Sequence, residues 1–229
     1  MQKNMPNKDI RTLGIVLRRT NYGEADRILN ILTPSGKITA IAKGVRKSRS
    51  KLAGGIEMFS VIDFNIHTGR GEMGVVTSAR MLRYYDEILK DFSRMETLGM
   101  ILKKVGRAAE SSDNPEYYKI VEECMDGLND GFDVALVEEW FLLNLAKAMG
   151  EEVNLYRDVG GEKLMEDSRY NWDITSDAFV YSENGEFGAN EIKMLRLLMT
   201  TDLKTIKRIK VPAEMYGVLL DLVRVATHV

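Results

Sequence analysis

The hydrophobic pattern of this 229-residue chain changes period once, near Tyr84, and no other feature limits the fold as much. Before that point the apolar residues fall in short runs rich in β-branched side chains, separated by turn residues. Leu13–Thr20, Asp26–Thr33, Lys37–Lys43, Phe59–His67 and Val75–Leu82 read as five strands. Asn21-Tyr22-Gly23, Pro34-Ser35-Gly36 and Gly54-Gly55 supply the breaks between them. In the third run Ile38 and Ala40 share one face, and Thr39 and Ile41 share the other, the period-two signature of a strand. Five short strands in about 80 residues suit a small closed barrel of the OB type, and an SH3-like barrel satisfies the same pattern.

After Tyr84 the spacing becomes helical. Ile88, Leu89, Phe92, Met95, Leu98, Leu102 and Val105 form one apolar stripe. Asn114-Pro115 opens a second helix, and Asp133 caps a third that ends at Gly150. Two more are expected at about 190–199 and 212–227. The fold class is therefore α+β and multidomain: an OB-type barrel over 1–83, then a helical domain over 84–229. Residues 151–186 interrupt the helices with ten acids against three bases and little periodicity. Ala178–Tyr181 suggests a short hairpin there, ending at Asn184-Gly185.

Net charge is −2 for the whole chain, but the balance is uneven. Residues 1–84 hold 15 Lys/Arg and 6 Asp/Glu, a net of +9, whereas 85–229 hold 17 and 28, a net of −11. The densest basic run is Lys43-Gly-Val-Arg46-Lys47-Ser-Arg49-Ser-Lys51, five cations in nine residues without an acid. Alone, such a run is equally a solvated surface loop; inside a half of net +9 it points to a nucleic-acid footprint.

Catalytic and cofactor motifs are weak by comparison. Gly69-Arg70-Gly71-Glu72-Met73-Gly74 matches G-x-G-x-x-G, but a strand rather than a helix follows it, so it reads as a hairpin turn. The two histidines, His67 and His228, lie at opposite ends of the sequence. Asp167 and Asp173 could hold a divalent ion, although solvated loop charge explains them as well. Cys124, the single cysteine, sits beside Glu122 and Glu123, which raises its pKa and makes it inert. One cysteine allows no internal disulfide, which fits a reduced, cytoplasmic setting. No catalytic role, cofactor or metal ligand is assigned, and no apolar stretch reaches the roughly 18 residues of a membrane helix.

The stretch from Gly14 to Leu29, with Leu32-Thr33, Gly36-Lys37 and Ala42-Lys43-Gly44-Val-Arg46-Lys47-Ser-Arg49-Ser-Lys51-Leu52, resembles the RecO family of bacterial DNA repair proteins. The Tyr22-Gly23-Glu24-x-Asp26-Arg27 turn, the Ala42-Lys43-Gly44-x-Arg46-Lys47 run and the Gly69-Arg70-Gly71 hairpin occur in the family's order. The likeness covers about residues 12–83; beyond it the chain is similar in being helical and of the right length.

The resemblance implies an OB domain followed by a helical one, and a nucleoid-associated recombination mediator rather than an enzyme. Such a protein binds single- and double-stranded DNA and anneals complementary strands. Its implied partners are the single-stranded DNA-binding protein, with its acidic tail, and RecR, and through them RecA, which is loaded during gap repair. The matched DNA-contacting candidates are Arg27, Lys37, Lys43, Arg46, Lys47, Arg49, Lys51 and Arg70. Many members carry a cysteine-rich zinc insert near the position of 155–185. This chain has no cysteine there, so the segment either folds as a hairpin without metal or is mobile. Lys204, Lys207, Arg208 and Lys210 could meet the acidic tail, or simply form a solvated helix face. An RNA-binding or protein-adaptor OB module is the alternative reading.

Overall fold

The computed structural model describes residues 8–69, 73–209 and 212–228. The chain divides into two compact units, the first running through Asn129 and the second beginning at Asp130. The first two helices thus group with the barrel, while Tyr84 marks where strands give way to helices.

In the first unit, β1 (Lys8–Tyr22), β2 (Asp26–Thr33), β3 (Gly36–Ala42), β4 (Ser60–Thr68) and β5 (Gly74–Tyr84) close into a barrel. Its order is β1-β2-β3-β5-β4, all antiparallel except a short parallel seam at Ala40↔Gly74 and Ile41↔Val75. That order is the OB arrangement and settles the choice left open by strand count alone. The 15-residue β1 serves two neighbours, pairing β4 through its first half and β2 through its second, with a register shift between Val16 and Arg18. Alternation fills the interior with Val16, Leu29, Ile31, Ala40, Ile62, Phe64, Ile66 and Val76. Burying each of the larger side chains contributes about 1.5–3 kcal/mol.

The fourth strand begins one residue later than its composition suggests, at Ser60, because Phe59 adopts a left-handed conformation with φ of 60°. Outside the barrel lie α1 (Phe92–Ser111) and α2 (Glu116–Asn129). Asp91 caps α1 by accepting from the Arg94 N–H, and Asn114 accepts from the Glu116 N–H. The Tyr85 hydroxyl donates to Asp126 Oδ1 at 2.9 Å, and Arg83 joins the same carboxylate, which pins the end of β5 to α2.

The second unit contains α3 (Val134–Met149), α4 (Ala189–Thr200), the single-turn α5 (Leu203–Ile206) and α6 (Ala213–Ala226). Asp133 caps α3 through the Ala135 N–H at 2.8 Å, and Gly150 ends it at φ of 86°, where glycine is favoured. Trp140 Nε1 donates to the Thr201 carbonyl and Asn144 to that of Leu198, fixing α3 against the end of α4.

Between α3 and α4 the acidic segment is ordered. Its hairpin pairs β6 (Tyr170–Asp173) with β7 (Ala178–Tyr181) about a turn at 174–177, and a further turn at Asn184-Gly185, closed by Gly185 N–H to Ser182 O at 3.0 Å, follows it. Asp173 is occupied with that turn, accepting from Ser176 Oγ at 2.6 Å. Four aromatic rings hold the segment together: Phe179 meets Trp172 at 5.0 Å, Phe187 at 5.9 Å and Tyr170 at 6.2 Å, all edge-on. Tyr170, Phe179 and Phe187 are buried. Gly185 lies so close to the Tyr170 backbone that a Cβ there would sit 2.5 Å from the Tyr170 nitrogen. Gly185→Ala is expected to cost roughly 1–3 kcal/mol, read as a lower urea midpoint, because backbone on both sides must shift.

Candidate nucleic-acid interface

The basic loop joins β3 to β4, and two apolar side chains decide its shape. Val45 and Leu52 turn inward and join the barrel core, which leaves Lys43, Arg46, Lys47, Arg49 and Lys51 exposed. Successive tight turns, closed by Lys47 N–H to Gly44 O at 3.1 Å and Ser50 N–H to Lys47 O at 3.0 Å, keep the cations on an ordered backbone. The loop is also tied to the β1–β2 turn. Arg46 N–H donates to Ala25 O at 2.8 Å, its guanidinium reaches Gly23 O at 3.3 Å, and Gly44 N–H donates to Asp26 Oδ1 at 2.7 Å. Asp26 thus spends its carboxylate on backbone, and Lys43, Lys47, Arg49 and Lys51 have no acidic partner among the described residues.

Arg27 stands beside the loop, opposite Ala42 in the β2–β3 register, and donates to Asn21 Oδ1. Tyr22, 54% exposed, ends β1 at the same rim. β5 begins near this end too, since Gly74 pairs with Ala40 near the close of β3. OB barrels bind oligonucleotides with the loops between strands 1 and 2 and strands 4 and 5, and with the face of strands 2 and 3. Arg27, Lys43 and Arg46 stand at this end, and Lys47, Arg49 and Lys51 follow on the same exposed loop.

Lys37 does not join them. It opens β3 at the opposite end and meets Glu110 of α1 at 3.4 Å. Arg70 lies outside the described residues. Gly74, the last glycine of the G-x-G-x-x-G match, opens a strand, consistent with a hairpin. In the second unit, Lys207 folds over the Phe132 ring at 4.1 Å and donates to the Asp130 carbonyl. Lys210 is outside the described residues.

Other charged groups on the barrel escaped the sequence reading. Asp63 accepts from Arg11 in two-point fashion, at 2.7 and 3.1 Å, and from Arg80 at 3.2 Å. The Arg11 hydrogen bond is the main reason its carboxyl is held below the ordinary range. The register sets Asp63 opposite Arg80, while Arg11, opposite Asn65, reaches Asp63 diagonally. His67 Nδ1 lies 2.8 Å from Asp9 Oδ1, and His228 approaches Asp177 at 3.3 Å. No group of three or more His, Cys, Asp or Glu suited to a metal occurs among the described residues. Cys124 is fully buried, and burial first, then Glu123, pushes its thiol up. No described helix is long and apolar enough to cross a membrane.

A closed OB barrel with a cationic loop tied to its β1–β2 turn, continued by a helical unit, defines a multidomain OB-fold protein. The sequence matches Recombination protein O N terminal over residues 5–85 and Recombination protein O C terminal over residues 106–227. The chain belongs to the RecO family. It is 32% identical over 153 residues to DNA repair protein RecO of Roseiflexus sp. (strain RS-1), covering 66% of this chain and 54% of that protein. It is 30% identical over 164 residues to that of Rubrobacter xylanophilus, covering 70% of this chain and 66% of the relative. A longer match, 27% over 216 residues, spans 90% of this chain and 84% of the Dehalococcoides mccartyi (strain 195) protein of the same name. Family membership thus extends into the helices, where sequence motifs gave no handle.

Proposed function

We propose that this chain acts in DNA repair and recombination by binding single- and double-stranded DNA through the basic loop and annealing complementary strands. The observation that carries the reading is the exposure of Lys43, Arg46, Lys47, Arg49 and Lys51 on a loop that backbone hydrogen bonds tie to the β1–β2 turn of an OB barrel. Phosphates are the natural targets of such a loop, and among the described residues at this rim only Tyr22 offers an exposed ring. A protein that grips backbones and leaves bases free lets complementary bases meet, while neutralised phosphates repel each other less. Family membership supports partnership with the single-stranded DNA-binding protein and RecR, and through them assistance to RecA in gap repair.

The test is anisotropy of a labelled single strand titrated with the protein at several salt concentrations. Binding at low salt that weakens along a straight line in log–log form, with a slope equivalent to several phosphates, is the expected result. A duplex should bind with a steeper slope, and RNA of equal length should compete no better than DNA. No binding at low salt, or preference for RNA, would overturn the reading.

A further inference from the structure

Helix α1 does not lie flat on the barrel. Between it and the outer surface of β1, β2 and β3 runs a groove of about 520 Å³. Two glycines of α1 open it: beyond the Cα of Gly99 there is no atom within 4 Å of where a Cβ would stand, and beyond Gly106 only Leu17 Cδ1 at 3.9 Å. Leu17, Met58, Phe59 and Leu102 give the groove an apolar lining. Around it stand Arg18, Lys37, Lys103 and Arg107, with Glu110 the one carboxylate. Glu110 is taken by Lys37, and Arg18, Lys103 and Arg107 have no acidic partner among the described residues.

Phe59 is the unusual member. Its φ of 60° is a conformation that bulky side chains seldom adopt. Three contacts hold it: Ser60 Oγ donates to Glu57 O at 2.6 Å, Arg19 bonds the Glu57 carboxylate at 2.9 Å, and Tyr85 N–H donates to Phe59 O at 3.1 Å. Backbone strain fixed this firmly concentrates at functional positions. Here it places a half-buried aromatic ring in the lining of a cationic groove rather than in the core.

We infer that this groove is a second DNA-contacting site, in which Phe59 stacks a base of a single strand and Arg18, Lys103 and Arg107 hold the flanking phosphates. The inference rests on the DNA-binding reading above and adds to it a place where a base, rather than a backbone alone, is held. Apolar lining, one aromatic ring and unpaired cations are what a stacked nucleotide requires. An acidic peptide would use the cations but has no need of the ring.

The test titrates the full chain with an oligothymidylate of about 12 nucleotides carrying one 2-aminopurine, read by anisotropy for total binding and by 2-aminopurine emission for stacking. Wild type should quench the emission. Phe59→Leu should lose most of the quenching and roughly tenfold in affinity. Gly99→Leu fills the groove from a helix position where leucine is the better helix former, so it should melt no lower than wild type and still lose the quenching. Replacing Arg18, Lys103 and Arg107 together by alanine should reduce the salt slope by about 2.

Quenching retained in both Phe59→Leu and Gly99→Leu overturns the groove site while leaving loop binding intact. Absence of binding by wild type removes the DNA-binding reading itself. An acidic peptide that binds wild type but not Gly99→Leu, with DNA quenching unaffected by that change, reassigns the groove to a protein partner.

Discussion

Replacing Arg46, Lys47, Arg49 and Lys51 together by glutamate is expected to weaken single-strand binding about 100- to 1,000-fold at 50 mM salt. Each phosphate contact contributes about 0.7 to the slope of log affinity against log salt for a single strand. Four lost contacts should therefore flatten the slope by roughly 3, and four new negative charges repel what remains. The barrel should survive, because Val45 and Leu52 hold the loop and the Arg46 tie to Ala25 runs through its backbone N–H. Only the exposed guanidinium contact with Gly23 is lost, worth less than about 1 kcal/mol. Circular dichroism melts should match wild type. Unchanged DNA affinity in a folded variant would show that the cations serve another purpose.

The second large effect concerns stability. Glu139, on α3, is fully buried, and neither carboxylate oxygen has a hydrogen-bond partner among the described residues. Its neighbour Glu138 takes Arg224 in a two-point pair at 2.7 and 3.0 Å, so that cation is spent. Burial first, then the nearby Asp133 and Glu138 charges, push the Glu139 pKa up to about 9. The folded chain therefore holds a proton that the unfolded chain releases near pH 4.5. Stability on this account is greatest below that pH, declines as pH rises, and levels off above about 9. At pH 7 the penalty is about 3 kcal/mol, since each pKa unit corresponds to 1.36 kcal/mol.

Glu139→Leu should recover most of that amount at pH 7–8 and flatten the profile. Glu139→Gln should flatten it with a smaller gain, because the amide remains unpartnered. Urea unfolding of the three proteins at pH 5, 7 and 8.5 measures both effects. A wild-type profile that is flat across this range, or a leucine variant less stable than wild type at pH 8, would refute the account.

Much of the barrel was legible because period-two alternation and turn residues are local signals. The five strands and the shared face of Ile38 and Ala40 follow from them, whereas the choice between OB and SH3-like barrels needed the strand order. Asp133 and Gly150 were equally readable, since caps are written within a few residues. What failed to show was decided by the third dimension. Phe59 reads as a strand residue because nothing local announces that Ser60, Arg19 and Tyr85 fix the turn around it. Lys37 sits in a matched stretch, yet its neighbour Glu110 is 73 positions away. Arg18, Lys103 and Arg107 look like ordinary surface charges until α1 is laid beside the sheet. Asn184-Gly185 carries a turn signal and does form a turn just past the hairpin, but the hairpin's own turn, at 174–177, has no glycine or proline to announce it.

The aromatic cluster of Tyr170, Trp172, Phe179 and Phe187 carries a consequence for how the second unit meets its surroundings. A segment clamped by thiolates and a metal would depend on zinc supply and on the oxidation state of its sulfurs. Edge-on rings respond to neither. Chelators and mild oxidants should leave this segment as it is, and its persistence becomes a matter of temperature and solvent composition rather than of metal homeostasis.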